Sequence, residues 1–378
     1  MLKSKKFLVA AALMTGLFSF GAIDYVSAAP TTAESTVMKN STITALKNDT
    51  RVFAVDKSIE TKFVTFRNRY GIDVAGHLYL PKNFNANKKY AAIVVSGAFG
   101  AVKEQHSGLY AQEMAKRGFV ALAFDPSFTG ESGGDVRNVA SPDIFTEDFS
   151  AGVDFVGSLK YVDRDRIGVI GICGLSGPAI TAAINDVRIK AVAVSAMYNM
   201  VDSIRNHYKG DYYSTEQRET VKKYLADMRW QEAEKGEPIP GYHEIPVIDG
   251  KAISASTLFP KKLPAGADAV TQGFFDYYCG RAYHPRSINS AAAWSSTTPY
   301  GFFNFEFMEH IEELAPRPVM FITGDVAHSK YHSDEAYAKA KSPKEIVVVK
   351  GATHTDLYDQ LDKIPFERLD KFFKDNLR

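Results

Sequence analysis

Short, unbroken apolar runs alternate with amphipathic, helix-length segments along most of this chain. Tyr90–Val95, Phe119–Phe124, Ile167–Ile172 and Ile189–Val194 are each apolar almost throughout. Runs of that kind predict strands buried on both faces, as in a parallel sheet. Between them, Glu104–Arg117, Phe145–Leu159 and Gly177–Asn185 carry apolar residues at helical spacing, and Gly118 closes the first. Ahead of them, Lys62–Phe66 and Val74–Leu80 alternate apolar and polar positions about Arg69-Tyr70-Gly71. That pattern predicts a β-hairpin. The succession predicts a mostly parallel, doubly wound α/β sheet of about eight strands, opened by antiparallel strands.

The rhythm stops after Ile189–Val194. Roughly residues 200–314 hold an amphipathic helical piece, Glu216–Glu232, a Pro/Gly-rich stretch around Gly236–Gly241 and an aromatic-rich piece, Phe274–Tyr283. The rhythm then resumes with Pro318–Thr323, a helix near Asp334–Lys341, the run Glu345–Val349 and a closing helix, Pro365–Leu377. A long insertion between two strands of one sheet serves function more often than it idles as loop. It reads as a helical cap over a site.

The N-terminal end has a different logic. Lys3, Lys5 and Lys6 precede an apolar stretch from Phe7 to about Phe20, and Val26-Ser27-Ala28 supplies small residues for cleavage. Residues 1–28 therefore read as a signal peptide, too short in its apolar part to span a bilayer. The mature protein is expected outside the cytoplasm, periplasmic or secreted, with no stable membrane insertion. Residues 29–56, rich in Thr, Ser, Ala and Lys, read as a flexible leader before a domain of residues 57–378. Export permits a disulfide between the two cysteines, Cys173 and Cys279. A bond between them would rule out a thiol nucleophile.

Charge narrows the partners. Lys plus Arg number 45 and Asp plus Glu 44, for a formal net charge of +1. That balance argues against a nucleic-acid partner. No His/Asp/Glu cluster has convincing metal-ligand spacing, so neither a metal nor another cofactor is expected.

The sharpest chemical signal is Arg166-Ile167-Gly168-Val169-Ile170-Gly171-Ile172-Cys173-Gly174-Leu175-Ser176-Gly177. A buried strand runs into a small-residue turn and then a helix. Such a turn presents one side chain at the strand's C-terminal end, where open α/β sheets bind ligands. Gly171 and Cys173 fit the first part of the Gly-x-nucleophile-x-Gly pattern, whereas Leu175 stands where a small residue is expected. Cys173 is the preferred nucleophile, and Ser176 is the rival. A helix N-terminus at Cys173 would favour its thiolate, and the Gly174 N–H would help hold an oxyanion.

His354, just beyond the last strand, is the candidate base. Asp325, after the preceding strand, is the candidate acid, displaced from the usual slot at Ala327; Asp334 and Glu335 are weaker substitutes. The loop Ser96-Gly97-Ala98-Phe99-Gly100-Ala101 suits the second oxyanion donor, with Phe99 N–H first and Ala98 its neighbour. Ala98, Lys103, Tyr198, Arg281 and His328 are candidates for the substrate pocket. His328 and Ser329 would lie near its mouth. Lys103 also suits a charged pair with Glu104 or a helix start, and Arg281 suits an anion or an aromatic cluster of the cap.

These pieces together resemble the dienelactone-hydrolase-like branch of the α/β-hydrolase superfamily, from about Glu60 to Arg378. The resemblance is carried by Val102-Lys103-Glu104-Gln105, by Ala123-Phe124-Asp125 with Gly130-Glu131-Ser132-Gly133-Gly134, and by Gly171-Ile172-Cys173-Gly174. Ala327-His328-Ser329 and His354-Thr355-Asp356-Leu357-Tyr358 complete the set. It implies the α/β-hydrolase fold and acyl transfer to water through a thioester on the cysteine. His354 would then act as base, with Asp325 orienting it and no cofactor needed. The expected partner is a small-molecule ester, thioester or lactone. A small-peptide peptidase or amidase and a catalytically silent binding protein remain open beside it.

Overall fold

The computed structural model describes residues 41–378. The expected signal peptide and residues 29–40 of the expected leader lie outside the described residues. Nine strands form one sheet: β1 (Thr42–Ala45), β2 (Thr61–Arg67), β3 (Asp73–Tyr79), β4 (Tyr90–Gly97), β5 (Val120–Phe124), β6 (Val162–Ile172), β7 (Ile189–Ser195), β8 (Val319–Gly324) and β9 (Lys344–Val349). Their spatial order is β1-β2-β3-β5-β4-β6-β7-β8-β9. The pairs from β5 through β9 are parallel, while β1, β2 and β3 join antiparallel at one edge. This is the mostly parallel α/β sheet that the apolar runs predict.

The ninth strand corrects one expectation. Within the segment read as a flexible leader, β1 pairs with β2, and Thr42 and Thr65 share a hydroxyl hydrogen bond of 2.7 Å. The following turn is tied down as well. Val52 N–H donates to the Glu104 carbonyl at 3.0 Å, and Asp56 N–H donates to Gln112 Oε1 at 2.9 Å. A sequence rich in Ser and Thr carries no strong strand signal, but an open sheet edge can still recruit it by backbone pairing.

Helices α1 (His106–Lys116), α2 (Pro142–Ser158) and α3 (Ser176–Asn185) connect the parallel strands, and α2 packs on α3. Ser141 caps α2 through the Ile144 N–H, with Pro142 at the first helical position, where its missing N–H costs nothing. Gly168 on β6 leaves room for Phe373 of the last helix, Phe366–Asn376. A Cβ there would lie 2.6 Å from its ring. The central strands are buried on both faces, which is why their sequences are continuous apolar runs rather than alternations.

Between β7 and β8 the chain adds no strand to the main sheet. It forms α4 (Met200–Asn206), α5 (Thr215–Lys235), α6 (Ala269–Phe275) and two short two-stranded ladders. Ser214 and Gln217 make a reciprocal capping box at the start of α5, and Gly236 ends it in the left-handed region. Val221 and Leu225 of α5 bury against Tyr213 and Ile245, a small apolar cluster beside the main core. Among the described residues, no helix is long and apolar enough to cross a membrane.

Candidate active site

Four loops converge at the C-terminal ends of the parallel strands, where open α/β sheets place their ligands. They follow β4, β6, β8 and β9. The loop after β6 turns sharply. Cys173 takes a positive φ of 53°, and α3 begins at Ser176. Gly171 makes that turn possible, because a Cβ there would stand 2.7 Å from the Leu175 carbonyl oxygen and 2.8 Å from the Ser176 Cα. The approach at position 175 is made by backbone. The Leu175 side chain is itself fully buried in the core, so a large residue is tolerated where the pattern expects a small one.

Cys173 lines a cavity of about 180 Å³ whose walls include Phe99, Tyr198, Tyr208, Phe274 and Tyr278. Both cysteines are free. The backbone N–H groups of Gly174 and Phe99 are turned to the Cys173 sulfur, and the Tyr358 hydroxyl stands beside it. Burial nevertheless dominates and pushes the thiol up to about 12, so it rests protonated. Ser176 does not line this cavity. It is fully buried, and its hydroxyl donates to the Gly171 carbonyl at 3.2 Å.

His354 lies behind Tyr358. Its Nε2 is 2.9 Å from the Tyr358 hydroxyl, and its Nδ1 is 2.6 Å from Ser329 Oγ. No hydrogen bond of the site joins His354 to Cys173 directly; Tyr358 stands between them. Burial, with His328, His106 and His332 nearby, holds the His354 imidazole well below 6.5, and it is neutral. Burial, with Cys173 and Tyr278 beside it, holds the Tyr358 phenol well above 10.

Asp325 does not meet His354. Its carboxylate is exposed and accepts the Gly351 N–H at 2.6 Å. The cause is local. Gly324 packs so tightly on the loop after β9 that a Cβ there would stand 1.9 Å from the Ala352 carbonyl oxygen. The next side chain therefore clips the two loops together and does not reach the imidazole. The substitutes fare no better, since Asp334 pairs with Lys330 at 2.7 Å and Glu335 with Lys209 at 2.7 Å. We expect Asp325→Asn to change kcat/KM on an ester by no more than about twofold, the scale of an exposed substitution. Ser329→Ala should cost about tenfold, as the loss of one buried hydrogen bond. A larger loss from Asp325→Asn than from Ser329→Ala would reverse this assignment.

The expected pocket residues divide. Tyr198 lines the cavity, and its hydroxyl hydrogen-bonds His328 Nε2. His328 and Arg281 line a second, more polar cavity on the other side of His354, where Arg281 is paired with Asp359 at 2.7 and 3.0 Å. Ala98 is buried and lines neither cavity. Lys103 is not a pocket residue. It is fully buried, with its ammonium 2.9 Å from Asp125, 2.9 Å from Glu104 and 2.5 Å from Glu131. The loop holding Phe99 is thereby fastened to the loop after β5. Among the described residues, no cluster of three His, Cys, Asp or Glu side chains is arranged to hold a metal.

The neighbours of this fold are consistent with the geometry. The sequence is 48% identical to uncharacterized protein PA2218 of Pseudomonas aeruginosa, over 93% of this chain and 90% of that one. The crystal structure of PA2218 superposes with a TM-score of 0.81, covering 89% of this chain and 99% of the other. This chain is an α/β-hydrolase-fold protein of the PA2218 family. The fold is shared with the alpha/beta hydrolase GrgF from Penicillium sp. sh18, at a TM-score of 0.66 and 19% identity, over 84% of this chain and 99% of GrgF. Over a shorter stretch the chain is 33% identical to thiohydrolase aneE of Aspergillus aculeatus, spanning 35% of this chain and 39% of the relative. No protein-family model matches the sequence.

Tyr358 and Glu244 are the residues that sequence reasoning missed. Tyr358 had a signal: it follows His354 by four residues at a helix start, a spacing that brings two side chains together. Glu244 had none, because its place on the cavity wall depends on how the cap folds.

Proposed function

We propose that this protein is a hydrolase of a carboxylic ester, thioester or lactone that works through an acyl-cysteine on Cys173. The observation that carries this reading is the strained turn, which sets Cys173 on the cavity wall with the Gly174 and Phe99 N–H groups at its sulfur. The likeness to thiohydrolase aneE supports thioesters among the substrates. The elbow cysteine supports a place in the dienelactone-hydrolase-like branch. The signal pattern of residues 1–28 supports work outside the cytoplasm.

The sulfur adds to the substrate carbonyl carbon. Its proton passes to the Tyr358 oxygen while the Tyr358 proton passes to His354 Nε2. The transfer is concerted, because neither a bare thiolate nor a phenolate is affordable in this burial. With its proton on Nδ1, 2.6 Å from Ser329 Oγ, His354 keeps Nε2 free to accept. The two N–H groups receive the oxyanion. As the tetrahedral adduct collapses, the leaving oxygen or sulfur takes the proton back through Tyr358. Water then adds to the thioester with His354 as base. The C–S bond breaks, the thiol regains its proton and the carboxylic acid departs.

Tyr358→Phe tests this route. It keeps the ring and removes only the hydroxyl between sulfur and imidazole. Acylation should slow by about 10²-fold, the lower range for general acid–base catalysis. KM and the thermal midpoint should hardly change. A full-rate Tyr358→Phe enzyme would mean that His354 reaches the sulfur by another route.

One observation favours a catalytically silent binding protein instead: His354 is oriented by a serine hydroxyl and not by a carboxylate. A panel of acyl esters, thioesters and lactones separates the two readings. Turnover by wild type that disappears in Cys173→Ala supports the enzyme. Equal background rates in both support the binding protein.

A further inference from the structure

The cap contributes a carboxyl to the wall of the cavity that holds Cys173. Glu244 lies there beside His243, and the Tyr208 hydroxyl donates to its carboxylate. Among the described residues lining this cavity there is no lysine and no arginine. The nearby histidines do not supply a positive charge. Burial holds His243 and His328 down to about 4 and His354 well below its ordinary value. The His243 Nδ1 is buried and has no hydrogen-bond partner. Aromatic rings make up much of the rest, from Phe99, Tyr198, Tyr208, Phe259, Phe274 and Tyr278.

Resting on the hydrolase reading above, we infer that the group bound in this cavity carries a basic amine, so that the substrate is an amine-bearing ester or thioester, and that Glu244 selects it. Three features support this. A substrate carboxylate would meet Glu244 at close quarters with no cation to offset it, and like charges in a buried site repel strongly. A plain alkyl group would cover the Glu244 carboxyl and shut out water, leaving it the Tyr208 hydroxyl alone. An ammonium satisfies both, since it pairs with the carboxylate, and aromatic faces attract it. Burial, against the pull of the Tyr208 hydroxyl, lifts the Glu244 carboxyl to about 7. A neighbouring ammonium would draw it back to the charged form. A neutral hydroxyl would be held by the same carboxyl, but less tightly.

The test uses four para-nitrophenyl esters of equal chain length, ending in an amino, a hydroxyl, a methyl or a carboxylate group. Wild type, Glu244→Gln and Cys173→Ala are each assayed for kcat/KM. With wild type the amino ester should lead, with the hydroxyl ester second and the carboxylate ester last. The amino-to-methyl ratio should fall by about tenfold in Glu244→Gln, the scale of one charge-assisted hydrogen bond. That ratio is taken within each enzyme, so it does not depend on how much of the variant folds. Tyr208→Phe, which removes the hydroxyl held against Glu244, should shift the same ratio without removing the carboxylate. Cys173-dependent turnover with no amine preference, or with a preference unchanged in Glu244→Gln, overturns the selectivity and leaves the hydrolase reading standing. Absence of Cys173-dependent turnover on any ester overturns both.

Discussion

Cys173→Ala is expected to lower kcat on any ester or thioester substrate by at least about 10³-fold, the loss typical of removing a covalent nucleophile. Ser176→Ala should leave turnover near wild type. The geometry separates the two cleanly. Cys173 lines the cavity with the Gly174 and Phe99 N–H groups near its sulfur, whereas the Ser176 hydroxyl is turned back to the Gly171 carbonyl. The substitution should not unfold the turn. The strain of a positive φ belongs to any residue with a Cβ, and cysteine already bears it. Only one sulfur is lost from a packed wall, a small cavity by the usual scale. Steady-state assays of purified variants with matched thermal midpoints provide the check. Loss of activity in Ser176→Ala with activity retained in Cys173→Ala would sink the assignment. Trapping with a slow acyl ester adds a direct readout, since mass spectrometry should find the acyl group on wild type and not on Cys173→Ala.

Lys103→Met is expected to destabilise the fold by about 3–5 kcal/mol, the cost of removing one partner from a buried ion network. Lys103 is fully buried, as is Asp125, and Glu104 is nearly so. Burial alone pulls a lysine ammonium down. Here Asp125, Glu104 and Glu131 outweigh it and hold the ammonium above its ordinary value. Without Lys103, Glu104 and Glu131 keep Arg286, at 2.6 and 3.4 Å. Among the described residues, Asp125 then loses its one ion-pair partner and keeps the backbone N–H groups of residues 103 and 131 at 2.6 and 2.9 Å. The expected readout is a lower urea midpoint with an unchanged slope. Activity should fall beyond the loss of folded protein, because the same network fixes the loop that carries the Phe99 N–H. An unchanged midpoint would show that the network contributes specificity to the loop and little to stability.

The legible parts of this protein were those set by local patterning. Ile167–Ile172 and Ile189–Val194 read as buried strands because a parallel strand has no solvent face to alternate with. The turn at Cys173 was legible because a buried strand leads into glycines and a helix, and the structure puts Cys173, and not its rival Ser176, on the cavity wall. His354 read as its partner because it follows the last strand of the run. Of the two readings of Lys103, pocket residue and partner of Glu104, the structure keeps the pair, because sequence does not say whether a lysine beside glutamate meets solvent, substrate or buried carboxylates. Asp325 was misread for a narrower reason. The residue after β8 is aimed by the contact of Gly324 with Ala352, two loops distant in sequence, and that contact sends its carboxylate to the Gly351 N–H.

The sheet, the turn at Cys173 and the chain order of the proposed nucleophile before its proposed base could thus be read along the chain. Each follows from apolar periodicity and from glycine where a side chain will not fit. What stands next to Cys173 follows from the tertiary fold. Tyr358 lies between sulfur and imidazole, Ser329 takes the place expected for an acid, and Glu244 reaches the cavity from the cap. The physical reason is one of range. Strand and helix patterns are written in the nearest few residues. A hydrogen bond between loops is fixed to a few tenths of an ångström by backbone contacts that join distant parts of the chain.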